Sequence, residues 1–93
     1  MKGYFLASLC REGILGGAIL ADDAGITFRT NKLTVPPRLK NLRLDYRDIQ
    51  SFSKKWVLCF PVFTLRLREG EVFRFIVFAP RRFSALLGEQ IHM

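Results

Sequence analysis

Short blocks of apolar residues, four to eight long and separated by turn residues, recur along this chain almost to its end. That spacing is typical of β-strands rather than of long helices. The first expected strand is Tyr4 to Leu9, turned by Arg11-Glu12-Gly13. The second is Ile14 to Leu20, turned by Asp22-Asp23-Ala24-Gly25. The third is Ile26 to Arg29. Successive strand side chains point to opposite faces, so Ile26 and Phe28 share one side and Thr27 and Arg29 the other. The connection "TNKLTVPPRLKN" follows, and its Pro36-Pro37 pair keeps it out of a central strand. Leu42 and Leu44 then alternate with Arg43 and Asp45, "YRD" marks a turn, and Ile49, Phe52 and Trp56 mark a further stretch around Lys54-Lys55. This alternation fits either one strand or two.

The clearest local signal is "FTLRLREGEVFRFIVF". Phe63, Leu65 and Leu67 face one way, Thr64, Arg66 and Arg68 the other, and Glu69-Gly70 reads as a two-residue hairpin link. Phe73, Phe75 and Val77 continue the core face. The opposite face carries Val72, Arg74, Ile76 and Phe78, so apolar a row that another strand, the terminal helix or a partner chain is expected to cover it. The period changes at "PRRFSALLGEQI": Pro80 suits a first helical turn, Phe83, Leu86, Leu87 and Ile91 recur at helical spacing, and Gly88 is expected to end or fray the helix. The expectation is one mainly β domain over residues 1–93. Six or seven antiparallel strands (about 4–78) form two near-orthogonal sheets in a half-open barrel, capped by a helix at about 80–91.

Composition adds a bias toward particular partners. Ninety-three residues with 49% hydrophobic and 25% charged content suit one folded domain. The net charge of +7, with ten of the 15 basic residues arginine, raises the weight of an anionic partner, nucleic acid or an acidic membrane surface. Cys10 and Cys59 have no second Cys or His at ligand spacing. Both lie in apolar runs and read as buried, reduced thiols, which fits a cytoplasmic setting. "MKGYFLASLC" is loosely like a lipoprotein signal, but its apolar run is short, Leu9 is bulky and Arg11-Glu12 follow at once, so it reads as strand. No window approaches the ~18 apolar residues of a membrane-spanning helix.

No catalytic constellation emerges, and neither a cofactor nor a metal is expected. Gly13, Gly16 and Gly17 do not spell a phosphate-binding loop, and Asp22-Asp23 lacks the further oxygen ligands of a calcium loop. The single histidine, His92, is one residue from the end of the sequence. The basic residues are the better lead. Alternate loops of a meander share an end, so Arg11, Lys32, Arg38 and Lys40 fall together, joined by Lys54 and Lys55 if residues 42 to 56 make two strands. Asp22, Asp23, Asp45, Asp48, Glu69 and Glu71 collect at the other end. Gly16 and Gly17 read as a bend or bulge in their strand. Trp56 beside two lysines reads as a membrane-interface or base-stacking residue, or as a partly buried core residue.

Three stretches, "GGAILADDAGITFRT", "LRLDYRDIQSFSKKW" and "FTLRLREGEVFRFIVF" followed by "PRRFSALL", together resemble a small bacterial domain of the pleckstrin-homology superfold, closest in pattern to GRAM-like domains. The resemblance covers roughly residues 14 to 91. It implies a non-catalytic module that binds phosphoinositides, other anionic lipids or peptides. The first hairpin loop offers only Arg11, beside Glu12, so phosphoinositide-specific recognition does not carry over. The expected function is therefore binding. First comes protein interaction or homo-oligomerisation through Val72, Ile76 and Phe78, with an electropositive end that contacts an acidic partner. Next comes adaptor binding to an anionic membrane lipid, which would make the protein peripheral to the membrane. Nucleic acid ranks third, since no RNA-binding sheet signature is present.

Overall fold

The structure, a computed structural model, describes residues 3–10, 14–30 and 41–91. Among them run seven strands: β1 (Gly3–Cys10), β2 (Ile14–Ala21), β3 (Gly25–Arg29), β4 (Asn41–Asp45), β5 (Ile49–Val57), β6 (Phe60–Leu67) and β7 (Val72–Val77). One helix, α1 (Pro80–Gln90), follows. All neighbouring strands are antiparallel, in the order β4-β3-β2-β1-β7-β6-β5, and the sheet curls into a half-barrel. The two expected sheets are one continuous ladder, because β1 pairs with β2 along its whole length and with β7 through Ala7, Ser8 and Leu9.

The alternating apolar residues supply the inner face. Phe5, Leu9, Ile19, Ile26, Phe28, Phe63, Leu65 and Phe75 are all buried there. The helix closes the interior with Phe83, Leu86 and Leu87, and Ile91 just past it is buried as well. Phe83 is the keystone: its ring meets Phe63 at 4.9 Å and Phe5 at 5.1 Å, both edge-on. Such pairs contribute about 0.5–1.5 kcal/mol beyond their buried area.

One open alternative is settled and several local expectations are corrected. Residues 42 to 56 hold two strands, β4 and β5, separated by a single 3-10 turn at Tyr46–Asp48 that is tied to the second hairpin by a bond from Tyr46 N to Ala24 O (2.9 Å). Gly16 and Gly17 make no bulge and stay in regular register opposite Ser8 and Ala7. Gly17 serves close approach instead, since a Cβ there would lie 2.1 Å from the Arg29 carbonyl oxygen. The register shift falls in β5, between Ile49 and Ser51. The link between β6 and β7 spans residues 68–71 rather than two. Leu67 N donates to Glu71 O and Gly70 N to Leu67 O, and Gly70 takes φ 103°, a conformation that favours glycine. The helix runs through Gly88, because Leu86, Leu87 and Ile91 anchor both sides of it in the core.

Candidate functional site

The longest uninterrupted exposed stretch of the described chain is residues 53–60, at the end of β5, its turn and the start of β6. Strand pairing makes it so. β5 is an edge strand, and Lys54, Lys55, Trp56 and Val57 pair with Phe63, Val62, Pro61 and Phe60 on one side only. The turn is Leu58-Cys59, two residues with no Gly, Asn or Asp. Leu58 adopts φ 58°, in the left-handed region that costs a side-chain-bearing residue about 1–2 kcal/mol, and it is 92% exposed. Trp56 (55% exposed), Val57 and Phe60 stand beside it. The tip is therefore apolar, exposed and backbone-strained at once.

Its surroundings are basic. Register splits the lysine pair: Lys54 and Trp56 point to the inner side of the sheet, Lys55 and Val57 to the outer side. On the inner side the tip overhangs the start of α1. There Lys54, Trp56, Ala79, Pro80, Arg81 and Arg82 line an open groove of about 620 Å³ with no carboxylate in its wall. The Arg82 guanidinium lies over the Phe5 ring, 5.1 Å from its centre, a cation–π contact that orients the arginine while leaving it exposed. Four cations, Lys54, Lys55, Arg81 and Arg82, thus surround one apolar tip.

Of the six expected anion-binding residues, the structure places Lys54 and Lys55 here, as strand residues rather than in a loop; Arg11, Lys32, Arg38 and Lys40 lie outside the described residues. His92 lies outside them too. Trp56 is not a core residue. Arg81, Arg82, Leu58 and Phe60 were missed by the pattern, although "KKWVLCF" carried a signal: five consecutive apolar residues after two lysines cannot all face one side of a strand. The same run explains a correction at Cys59, which is exposed because it sits in the turn. Cys10 is half-buried, and desolvation pushes its thiol above the usual range, against a backbone hydrogen bond from Ile76 and the charge of Arg74.

The expected apolar row also changes. Val72 is half-buried and Phe78 is exposed, but Ile76 is only 7% exposed, with Ser8 and Val62 beside it in the adjoining strands. Ile76 is not available to a partner. The expected acidic end is interleaved with arginine. Arg43 bridges Asp22 (2.8 Å) and Asp45 (3.0 Å), while Asp48, Glu69 and Glu71 line a cleft of about 350 Å³ together with Arg43 and Arg68. Asp22 Oδ1 also accepts from Ala24 N and Gly25 N. Chiefly the Arg43 hydrogen bond, and then these amides, hold its carboxyl well below the usual carboxylate range. Among the described residues no three His, Cys, Asp or Glu side chains come together as metal ligands, and no helix is long and apolar enough to cross a membrane.

These features define a small antiparallel half-barrel β domain with a C-terminal helix. No family model matches the chain, and no curated protein matches it. Among solved structures, the chain is similar to the C-terminal domain of an unknown protein from Leishmania infantum. The TM-score is 0.77 at 11% identity, over 95% of this chain and 80% of that one. At that identity the likeness concerns the fold alone.

Proposed function

We propose that this chain is a non-catalytic binding module of PH-like, GRAM-like kind that docks on an anionic membrane surface. Its contact end is the β5–β6 tip together with the start of α1. The observation that carries this reading is the tip itself: Trp56, Val57, Leu58 and Phe60 exposed in one place and flanked by Lys54, Lys55, Arg81 and Arg82. An apolar wedge with a basic collar matches the layering of a bilayer face, where anionic headgroups lie over hydrocarbon and Trp favours the boundary. Each cation near such a surface contributes about 1 kcal/mol. Burial of a fully exposed Leu adds about 2 kcal/mol. The sum gives reversible, salt-sensitive attachment rather than permanent anchoring.

The test is co-sedimentation with vesicles of phosphatidylcholine alone or mixed with phosphatidylserine, at low and high salt. Binding is expected only to the anionic vesicles and is expected to fall steeply with salt. Equal binding to both vesicle types sinks the reading. Protein interaction, the other reading, is favoured by a different observation on the outer face of the sheet.

A further inference from the structure

On the outer side of the half-barrel, the register aligns Tyr4, Leu6, Ser8 and Cys10 of β1 beside Leu20, Ala18, Gly16 and Ile14 of β2. None of these eight residues is charged, in a chain of net charge +7. On the other flank, Phe78 N donates to Leu6 O (3.0 Å), and the β6–β7 register, continued two residues past Val62 and Ile76, brings Phe60 beside Phe78. Tyr4, Leu6 and Phe78 therefore form a ridge. Next to it lies a trough of about 750 Å³ lined by Tyr4, Gly16, Gly17, Ala18, Leu20, Arg29 and Thr30. A Cβ built on Gly16 meets nothing within 4 Å, so the trough floor is open.

We propose that this face binds a second copy of the same chain, the Tyr4–Leu6–Phe78 ridge of each seating in the Gly16–Ala18 trough of the other. This goes beyond the membrane reading and uses the outer face of β1 and β2, which shares only Phe60 with the tip. A two-fold interface needs one patch that is complementary to itself, and a ridge and a trough side by side on one face meet that need. Size agrees. Tyr4, Leu6, Ile14, Phe60 and Phe78 are 42–68% exposed. At roughly 100 Å² each they present on the order of 500 Å² of apolar surface, near the upper limit for a monomer's largest patch. With half-buried Ala18, Leu20 and Val62 the patch reaches roughly 600 Å² per partner, the lower end of the ~1,200–2,000 Å² total of a specific interface and suited to reversible association. The charge pattern is compatible with this: the eight facing residues of β1 and β2 are uncharged, and Arg29, the one cation lining the trough, donates to Asn41 Oδ1 of its own chain.

Sedimentation equilibrium across micromolar concentrations tests it. The wild-type chain is expected to move reversibly from one chain mass to two. Gly16→Phe directs a ring into the trough from a position where a Cβ meets nothing within 4 Å, and is expected to weaken association at least tenfold. Leu6→Glu attacks the ridge and is expected to do the same, while both variants keep the wild-type circular dichroism spectrum. Leu58→Asp, at the membrane tip, is expected to associate like wild type. A wild-type chain that stays monomeric at the highest soluble concentration overturns the proposal, and so does a Gly16→Phe chain that dimerises normally. Vesicle binding by monomeric Gly16→Phe reports on the membrane reading separately, since it leaves every tip residue in place.

Discussion

The β2–β3 and β5–β6 hairpins, on opposite sides of β1 in the ladder, use their turns in opposite ways. The β2–β3 turn is polar and saturated: Asp22 N donates to Gly25 O, Asp22 Oδ1 accepts from Ala24 N and Gly25 N, and Arg43 clamps its carboxylate from β4. The β5–β6 turn holds Leu58 in a strained conformation, almost wholly in water, with apolar neighbours. Both turns close antiparallel strands equally well. A turn that only has to reverse the chain has no reason to keep an exposed, left-handed leucine, because Gly or Asn would make the same reversal at lower cost. Strain and exposure that are retained together point to work done outside the fold.

The largest expected effect lies in the β2–β3 hairpin. Gly17→Ala places a Cβ against the Arg29 carbonyl, which lies 2.1 Å away. The backbone must part there, at a cost of about 2–4 kcal/mol. For a domain of this size that lowers the melting temperature by roughly 10–20 °C. Gly16→Ala, one residue away and open to solvent, is expected to stay within about 0.5 kcal/mol of wild type. Urea titrations of the pair measure the contrast, and equal losses at both sites would refute the close-approach account.

The β5–β6 hairpin is expected to behave in the reverse sense. Leu58→Gly relieves the left-handed strain, partly offset by the greater freedom of glycine when unfolded, for a net gain of about 1 kcal/mol. The same change removes the most exposed apolar side chain of the tip, so anionic vesicle binding is expected to drop about tenfold. A chain that becomes more stable and binds less separates fold from function at one residue. Unchanged vesicle binding would remove Leu58 from the contact.

What the sequence disclosed follows the same division. Period-two alternation reports burial on one face, so Phe63, Leu65, Phe73, Phe75 and the helical Phe83-Leu86-Leu87 set were legible as core. Turns built from Asp and Gly were legible because those residues have a local mechanism. The β5–β6 turn was not, since Leu58-Cys59 carries no turn chemistry and is held in place by the pairing of Val57 with Phe60 and Trp56 with Pro61. The collar was illegible for a related reason. Arg81 and Arg82 meet Lys54 and Trp56 only because α1 packs back under the sheet, a contact between residues about 25 positions apart. The outer apolar row was read on β7 alone. Its wider extent on β1 and β2 depends on register, which turns β1's Tyr4 and Leu6 outward beside Leu20 and Ala18.

A smaller effect is expected where the 3-10 turn meets the β2–β3 hairpin. The Tyr46 hydroxyl is buried and finds no hydrogen-bond partner among the described residues. Tyr46→Phe removes that group, with stability unchanged or raised by up to about 1 kcal/mol. Burial pushes the phenol's ionisation above its usual range. The folded state therefore disfavours the phenolate, and this contribution is intact below about pH 10, where the unfolded phenol titrates. It is lost as pH rises beyond that point. The Phe variant is expected to lack this alkaline slope, and identical alkaline unfolding curves would mean that the hydroxyl reaches water.

The finest test returns to Asp22. Its carboxyl is depressed chiefly by the Arg43 hydrogen bond, so the folded state favours the carboxylate more than the unfolded chain does. The resulting stability is present above the unfolded value of about 3.9 and is lost as pH falls through the lower folded value. Because Asp22 is exposed, salt and solvent screen the pair and keep the effect small. Carboxyl-carbon NMR is expected to show Asp22 ionised at a pH where an unfolded aspartate is already protonated. Asp22→Asn can still accept at the turn amides through its side-chain oxygen but gives Arg43 no charge. It is expected to keep the hairpin amide shifts while flattening the acid limb of the stability curve. If Asp22→Asn disorders the turn, the ion pair and not the amide bonds holds this hairpin closed. The two turns would then differ less in kind than their hydrogen bonds imply: each would depend on one side chain, Arg43 in the first and Leu58 in the second.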